Sequence, residues 1–139
     1  RHPDGRVLIP NTPGMRPYGK NPYVGYDTAK TPFLYRGILP DNIDPMARIV
    51  VIGKRASPTA VSYALIRAKG TIEAGNITLR WRAGQASALD TEQIAKGRDV
   101  GTIIATKPGD DGKPRDVPYD VTFAFVFHAF HPKLRIRTE

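Results

Sequence analysis

Apolar positions in this chain cluster in short runs, and the longest lies at residues 120–132, D-V-T-F-A-F-V-F-H-A-F-H-P. It holds four of the five phenylalanines, Phe123, Phe125, Phe127 and Phe130. Phe123, Phe127 and Phe130 fall at i, i+4 and i+7, one face of a helix, with Asp120 as N-cap and Pro132 as stop. Phe123, Phe125 and Phe127 also alternate as in a strand. The helical reading is preferred. Burying one large apolar side chain is worth roughly 1.5 to 3 kcal/mol, so this run is expected to nucleate the core on which the rest packs.

Elsewhere the pattern is mostly that of strands. Residues 47–52, A-R-I-V-V-I, read as a buried strand ended by Gly53. Ala60, Val61, Ala64, Leu65 and Ala68 recur at helical spacing and predict a helix over 60–69, with Gly70 as its C-cap and Arg67 and Lys69 at its negative end. Gly75-Asn76 is a hairpin signal between strands at 71–74 and 77–82. In the second of these, Ile77, Leu79 and Trp81 share one face, while Thr78, Arg80 and Arg82 share the other. Residues 100–106 form the next strand, and 108–114 an exposed turn. Residues 90–97 read as a loop or a single helical turn, and 32–37, P-F-L-Y-R-G, as a further strand. Before them, residues 1–32 are broken by Pro and Gly and admit only a short strand at 7–9. Tyr18, Tyr23 and Tyr26 give this stretch apolar area to bury, which predicts an extended arm (1–32) packed on one body (33–139). The fold class is α+β: β-rich, with mainly antiparallel short strands and one or two short helices.

Composition narrows the chemistry more than the fold. A chain of 139 residues buries roughly two thirds of its unfolded surface, enough for a core without metal or disulfide staples. There is no cysteine, which excludes disulfides, thiolate nucleophiles and iron–sulfur clusters within this sequence. No apolar run is long enough to span a bilayer. The start at Arg1, with no signal-peptide pattern, reads as a mature product or a fragment. The net charge of +8 divides into +3, +2, +2 and +1 over residues 1–30, 31–60, 61–90 and 91–139. Charge so evenly spread does not make a phosphate-binding stripe; Arg80, Trp81 and Arg82 are the nearest approach to one. Nucleic-acid binding is therefore a third reading.

Candidate catalytic and metal-binding groups are sparse. His128 and His131, three apart, share a side of a helix as two metal ligands can, and His2 would have to complete a set of three. No E-x-x-H accompanies them, so the alternative is that His128 is hydrogen-bonded beside the core and His131 helps end the segment. Ser57, Ser62 and Ser87 lie in no nucleophile elbow, and Ser87 reads as a small residue in a tight strand. Asp110 and Asp111 sit in a turn, and Asp90, Glu92 and Asp99 read as loop caps. No cofactor is implied. Tyr18, Tyr23, Tyr26 and Tyr35 could form a recognition surface or anchor the arm to its own domain. The two chain ends echo one another, R-H-P-D-G-R-V at 1–7 and F-H-P-K-L-R-I at 130–136, as if each closed a similar unit.

Five phrases carry a family likeness: Y-G-K-N-P-Y-V-G-Y-D at 18–27, P-F-L-Y-R-G at 32–37, P-M-A-R-I-V-V-I-G at 45–53, G-Q-A-S-A-L-D at 84–90 and F-A-F-V-F-H-A-F-H-P at 123–132. Over nearly its whole length the chain resembles the back half of the bacterial domain-of-unknown-function family 3179. The resemblance implies a duplicated unit behind a signal peptide or membrane anchor, hence an extracytoplasmic place and a partner half. The front half of such proteins carries a His-Glu pair and a Cys-Pro-Leu-Cys motif, which has no counterpart here, so no activity resting on it is expected of this chain. The leading expectation is a non-catalytic interaction domain that packs against the rest of its own precursor or another subunit, using the tyrosine arm. The alternative from another class is a metal-binding or hydrolytic domain using His128 and His131 with nearby acidic residues such as Asp90.

Overall fold

The computed structural model of the chain describes residues 4–6, 20–54 and 56–139. His2, Tyr18, the strand expected at 7–9 and much of the first His-Pro echo lie outside them. In chain order the elements are β1 (Arg48–Lys54), β2 (Ser57–Ser62), α1 (Tyr63–Lys69), β3 (Thr71–Ala74), β4 (Ile77–Arg82), β5 (Thr102–Pro108), β6 (Pro114–Asp116), β7 (Asp120–Phe123), α2 (Ala124–Phe130) and β8 (Ile136–Arg137). Single 3-10 turns lie at Tyr26–Thr28 and Ile94–Lys96.

The I-V-V-I run makes β1 the central strand, because successive side chains of a strand point to opposite faces and here both faces are apolar. Ile49 packs with Ala60, Ala124, Phe127 and Ile136, with Val51 at the margin of that cluster. Val50 and Ile52 belong to the larger core, with Val61, Tyr63, Leu65, Ile66, Ile72, Leu79, Ile103 and Ala105. The first sheet runs β7-β1-β2-β8, antiparallel except for the β2–β8 pair. One of its faces carries α2; the other meets α1 and the inner side of a second antiparallel sheet, β3-β4-β5-β6. The architecture is strand-rich α+β, with mostly antiparallel pairing and two short helices.

The hairpin at 71–82 forms as its pattern predicts. Ala74 pairs with Ile77, and Gly75 takes a φ of +65°, the positive value that a primed turn requires at its first central position. Leu79 is fully buried, and Ile77 and Trp81 pack against the same core, while Arg80 and Arg82 are exposed. Gly70 caps α1 with a φ of +73°.

Three expectations are corrected. The helix predicted over 60–69 begins only at Tyr63, because Ala60 and Val61 are drawn into pairing with β1 on one side and β8 on the other. Residues 32–37 form no strand; Leu34 instead adopts a left-handed φ of +63°. The phenylalanine run is half of each reading. Through Phe123 it pairs with β1, and then Pro45 and Ala47 offer their carbonyls to the N–H groups of Phe125 and Ala124 at 3.0 and 2.9 Å, which starts α2. Asp120 therefore opens a strand rather than capping a helix. Nor does the run nucleate the core: of its four rings only Phe127 is buried, and Phe130 is 77% exposed. The branched aliphatic residues of β1, β2, α1, β4 and β5 do that work instead.

Segment 100–101 is clamped from two sides. The Tyr63 hydroxyl donates to the Gly101 carbonyl at 2.8 Å, and Trp81 Nε1 donates to the Val100 carbonyl at 3.0 Å. The indole lies so close that a Cβ on Gly101 would sit 2.3 Å from its ring, at a φ of +69°. Gly101→Ala thus combines overpacking with left-handed strain, and a loss of about 2 kcal/mol is expected from urea unfolding. Gly75→Ala, whose Cβ meets nothing within 4 Å, carries the φ strain alone and is expected to lose about half as much.

Candidate functional site

Residues 20–28 cross the loop at 84–101 and are fastened to it by backbone bonds. The Asn21 N–H donates to the Glu92 carbonyl at 2.9 Å, and the Gly25 N–H to the Asp90 carbonyl at 3.0 Å. Asn21 Nδ2 adds a bond to the Thr91 carbonyl. These attachments lower the 3-10 turn at Tyr26–Thr28 onto the body and bury Asp27, whose side chain is 1% exposed.

Asp27 Oδ2 is the meeting point of three donors. Arg48 Nη2, from the start of β1, lies at 3.1 Å and Arg98 Nη2, from the loop, at 3.0 Å; the Ser87 hydroxyl donates to the same oxygen. Ser87 Oγ in turn accepts from Arg48 Nη2 at 3.1 Å and from the Leu89 N–H at 3.2 Å. Fully buried and committed in this way, Ser87 is a hub that joins residues 20–28, strand β1 and the loop at 84–101, a role that its small size alone did not reveal. Burial pushes the Asp27 carboxyl up, but hydrogen bonds from Ser87 and Arg48 and the charges of Arg98 and Arg48 outweigh it and hold the group below its ordinary value. Asp27 Oδ1 and Arg48 Nε are buried without a partner among the described residues. A buried polar group left so costs about 1 to 3 kcal/mol.

The loop itself is shaped by two further carboxylates. Asp99 accepts the N–H groups of Gly84, Gln85 and Gly101, and these bonds, that of Gly84 foremost, hold it below its ordinary value. Asp90 accepts the Arg98 N–H at 2.7 Å and approaches the Arg98 guanidinium at 3.6 Å. Beside this network a cleft of about 250 Å³ is lined by Asp27, Arg48, Tyr63, Ala64, Arg67 and Arg98, among others. The Arg67 guanidinium rests 5.2 Å from the centre of the Trp81 ring, a cation–π contact that fixes its direction.

The tyrosines divide by position. Tyr26 packs edge-on against Phe123 at 5.7 Å between ring centres, Tyr35 against Phe125 at 5.1 Å, and Phe123 stacks with Phe125 at 6.1 Å. Tyr26 and Tyr35 thereby join residues 20–39 to the phenylalanine run. Tyr23 touches Tyr26 yet is largely exposed. Around it runs an apolar groove of about 750 Å³, lined by Pro22, Tyr23, Val24, Tyr26, Phe33 and Leu89. Phe33 and its neighbour Leu34 are 76% and 74% exposed.

The two histidines sit at the end of α2. His131 lies against the Phe127 ring, 5.0 Å between centres, and lines a cavity with Asp120, Val51 and Phe130. His128, in the last turn of the helix, is half-buried. Among the described residues no three His, Cys, Asp or Glu side chains come together to hold a metal. Asp90, the acidic group considered with these histidines, is engaged with Arg98.

A family model described as "Protein of unknown function (DUF3179)" matches residues 1–134. The chain belongs to this family. No curated protein and no solved structure matches it. Three of the phrases through which the sequence resembles DUF3179 proteins converge on the buried carboxylate: Asp27 ends one, Arg48 interrupts the apolar run of the second, and Ser87 and Asp90 belong to the third. Composition and periodicity did not single out Asp27, Arg48 or Arg98. For Asp27 and Arg48 the signal lay in the phrases quoted for the DUF3179 likeness, as polar residues standing inside otherwise apolar or turn-forming stretches; Arg98 lies outside those phrases. Among the described residues no helix is long and apolar enough to cross a membrane.

Proposed function

We propose that this DUF3179 chain is a non-catalytic interaction domain of a bacterial cell-envelope protein, seated on a protein partner through the apolar surface of residues 22–39. The partner is the rest of its own precursor or another subunit. The observation that carries the reading is the groove beside Tyr23, with Phe33 and Leu34 standing largely in water at its edge. Scattered exposed apolar residues are ordinary, but two rings, an aliphatic side chain and a groove within one short segment are the usual make-up of an interface core. Leu34 strengthens the case, because a branched residue held at a φ of +63° costs roughly 1 to 2 kcal/mol that packing against the described residues, with the side chain 74% exposed, does not return.

Photo-crosslinking in the source cells tests this, with the reactive group at position 33 or 34 and, as control, at Lys107 at the exposed end of β5. A defined protein adduct from positions 33 and 34 but not from 107 is expected, and its mass separates precursor from subunit. No adduct, or equal adducts from all three positions, overturns the proposal. Leu34→Gly should separate binding from folding: it removes an exposed side chain and relieves the left-handed strain, so the unfolding midpoint stays or rises while the adduct weakens. Recovery of the chain from the periplasmic or membrane fraction is expected, whereas recovery from the cytosol alone would contradict the envelope placement.

A further inference from the structure

The apolar surface leaves the arginine-lined cleft unused. Its walls carry three guanidinium groups, from Arg48, Arg67 and Arg98, against a single lining carboxylate, Asp27. Counting the two carboxylates behind it, Asp90 and Asp99, brings charge near balance, but hydrogen-bonding capacity does not balance. The three arginines present about fifteen N–H donors between them. Asp27 Oδ2 already receives three donors, and Asp99 is occupied by three backbone N–H groups. What the cleft has in surplus is donors on rigid, permanently charged groups.

Those donors are held in place before any ligand arrives. Arg48 and Arg98 are tethered to the same buried oxygen, 3.1 and 3.0 Å away, and Arg67 is oriented by the Trp81 ring. Arg48 Nε and Asp27 Oδ1 are both buried with no partner among the described residues, one unmet donor against one unmet acceptor, so the surplus of donors rests on the remaining guanidinium N–H groups. Planar guanidinium forks match the oxygens of a carboxylate or phosphate two at a time. The volume, about 250 Å³, is several times the roughly 30 Å³ share of one water and falls below the range of drug-sized pockets. That suits an oxyanion with few attached carbons.

We propose that this cleft binds a small oxyanion through Arg48, Arg67 and Arg98, with Asp27 as the positioning residue that fixes two of the three. Inorganic phosphate and the carboxylate of a short organic acid share this chemistry. The cleft shares no lining residue with the apolar groove, although Asp27 lies between residues of that surface, and its anion binding is tested separately from it.

Calorimetric titration of the full chain with inorganic phosphate and with succinate, at constant ionic strength, separates the two sources. Saturable binding of one or both, with a Kd at or below about 1 mM, is expected. Arg67 is exposed, so Arg67→Ala leaves the fold intact and should weaken binding at least tenfold, with Arg67→Lys between the two. Arg80→Ala removes the same charge from an exposed position on β4 that does not line the cleft, and should change the Kd less than twofold. The proposal is overturned if neither anion saturates, or if Arg80→Ala weakens binding as much as Arg67→Ala, which would mark a general effect of surface charge.

Discussion

Asp27→Asn lowers the stability of the chain by about 3 kcal/mol at neutral pH and its melting temperature by roughly 10 °C. Removing one partner of a buried ion pair typically costs about 3 to 5 kcal/mol, because the remaining charge is left desolvated. Here the lower end applies: the Arg48 and Arg98 side chains are 23% and 43% exposed, so water compensates part of the loss. The pH dependence has a definite sign. The Asp27 carboxyl is held below its ordinary value of 3.8, so its contribution is complete at neutral pH, where folded and unfolded chains are both ionised. As pH falls below that value the unfolded chain takes up the proton first, and the contribution disappears as pH passes through the lower folded value. Asp99 is displaced in the same direction and adds to the same acid limb. Urea midpoints at neutral pH and at about pH 3 should therefore show a gap between natural chain and variant that narrows in acid. A gap independent of pH would mean that Asn disturbs packing rather than removing a charge. Ser87→Ala keeps the carboxylate and both arginines and should cost less than half as much.

The second large effect is expected at Leu79. Leu79→Ala should cost about 4 kcal/mol, since the side chain is fully buried between the two sheets and the surrounding strands cannot collapse into the space. Phe130→Ala, although it removes a larger side chain, should change stability by less than about 0.5 kcal/mol, because that ring is mostly in water. Equilibrium denaturation of the two variants side by side decides between a core built on the phenylalanine run and one built on the sheets. Comparable losses would restore the phenylalanine run to the centre.

This contrast shows where the sequence was informative. Strict alternation at Ile77, Leu79 and Trp81 and the unbroken run at 49–52 specify a half-buried and a fully buried strand, and both form. Local periodicity could not divide residues 120–132 between β7 and α2, because the division depends on Arg48 to Val51 as strand partners and on the carbonyls of Pro45 and Ala47, some 75 residues away in sequence. The same limit hid the buried site. Asp27, Arg48, Ser87 and Arg98 come from a 3-10 turn, a strand and a loop, and no spacing rule joins them. His128 and His131, by contrast, drew attention because their spacing is local, yet the elements around them bring no third ligand among the described residues.

The order of strands in the first sheet has a consequence for synthesis of the chain. β1 and β2 are adjacent in sequence and are made first, but their outer edges are completed only by β7 and β8, and the whole second sheet lies between in sequence. Until the ribosome has released residues 120–137, a nascent hairpin carrying Val50, Ile52 and Val61 presents both backbone edges and an apolar face with nothing against them. Such a template invites pairing with another unfinished copy, so premature termination within the second sheet should yield inclusion bodies rather than a smaller soluble domain. A chaperone acting on this protein would find its principal client surface there, in the interval between completion of β2 and emergence of β7.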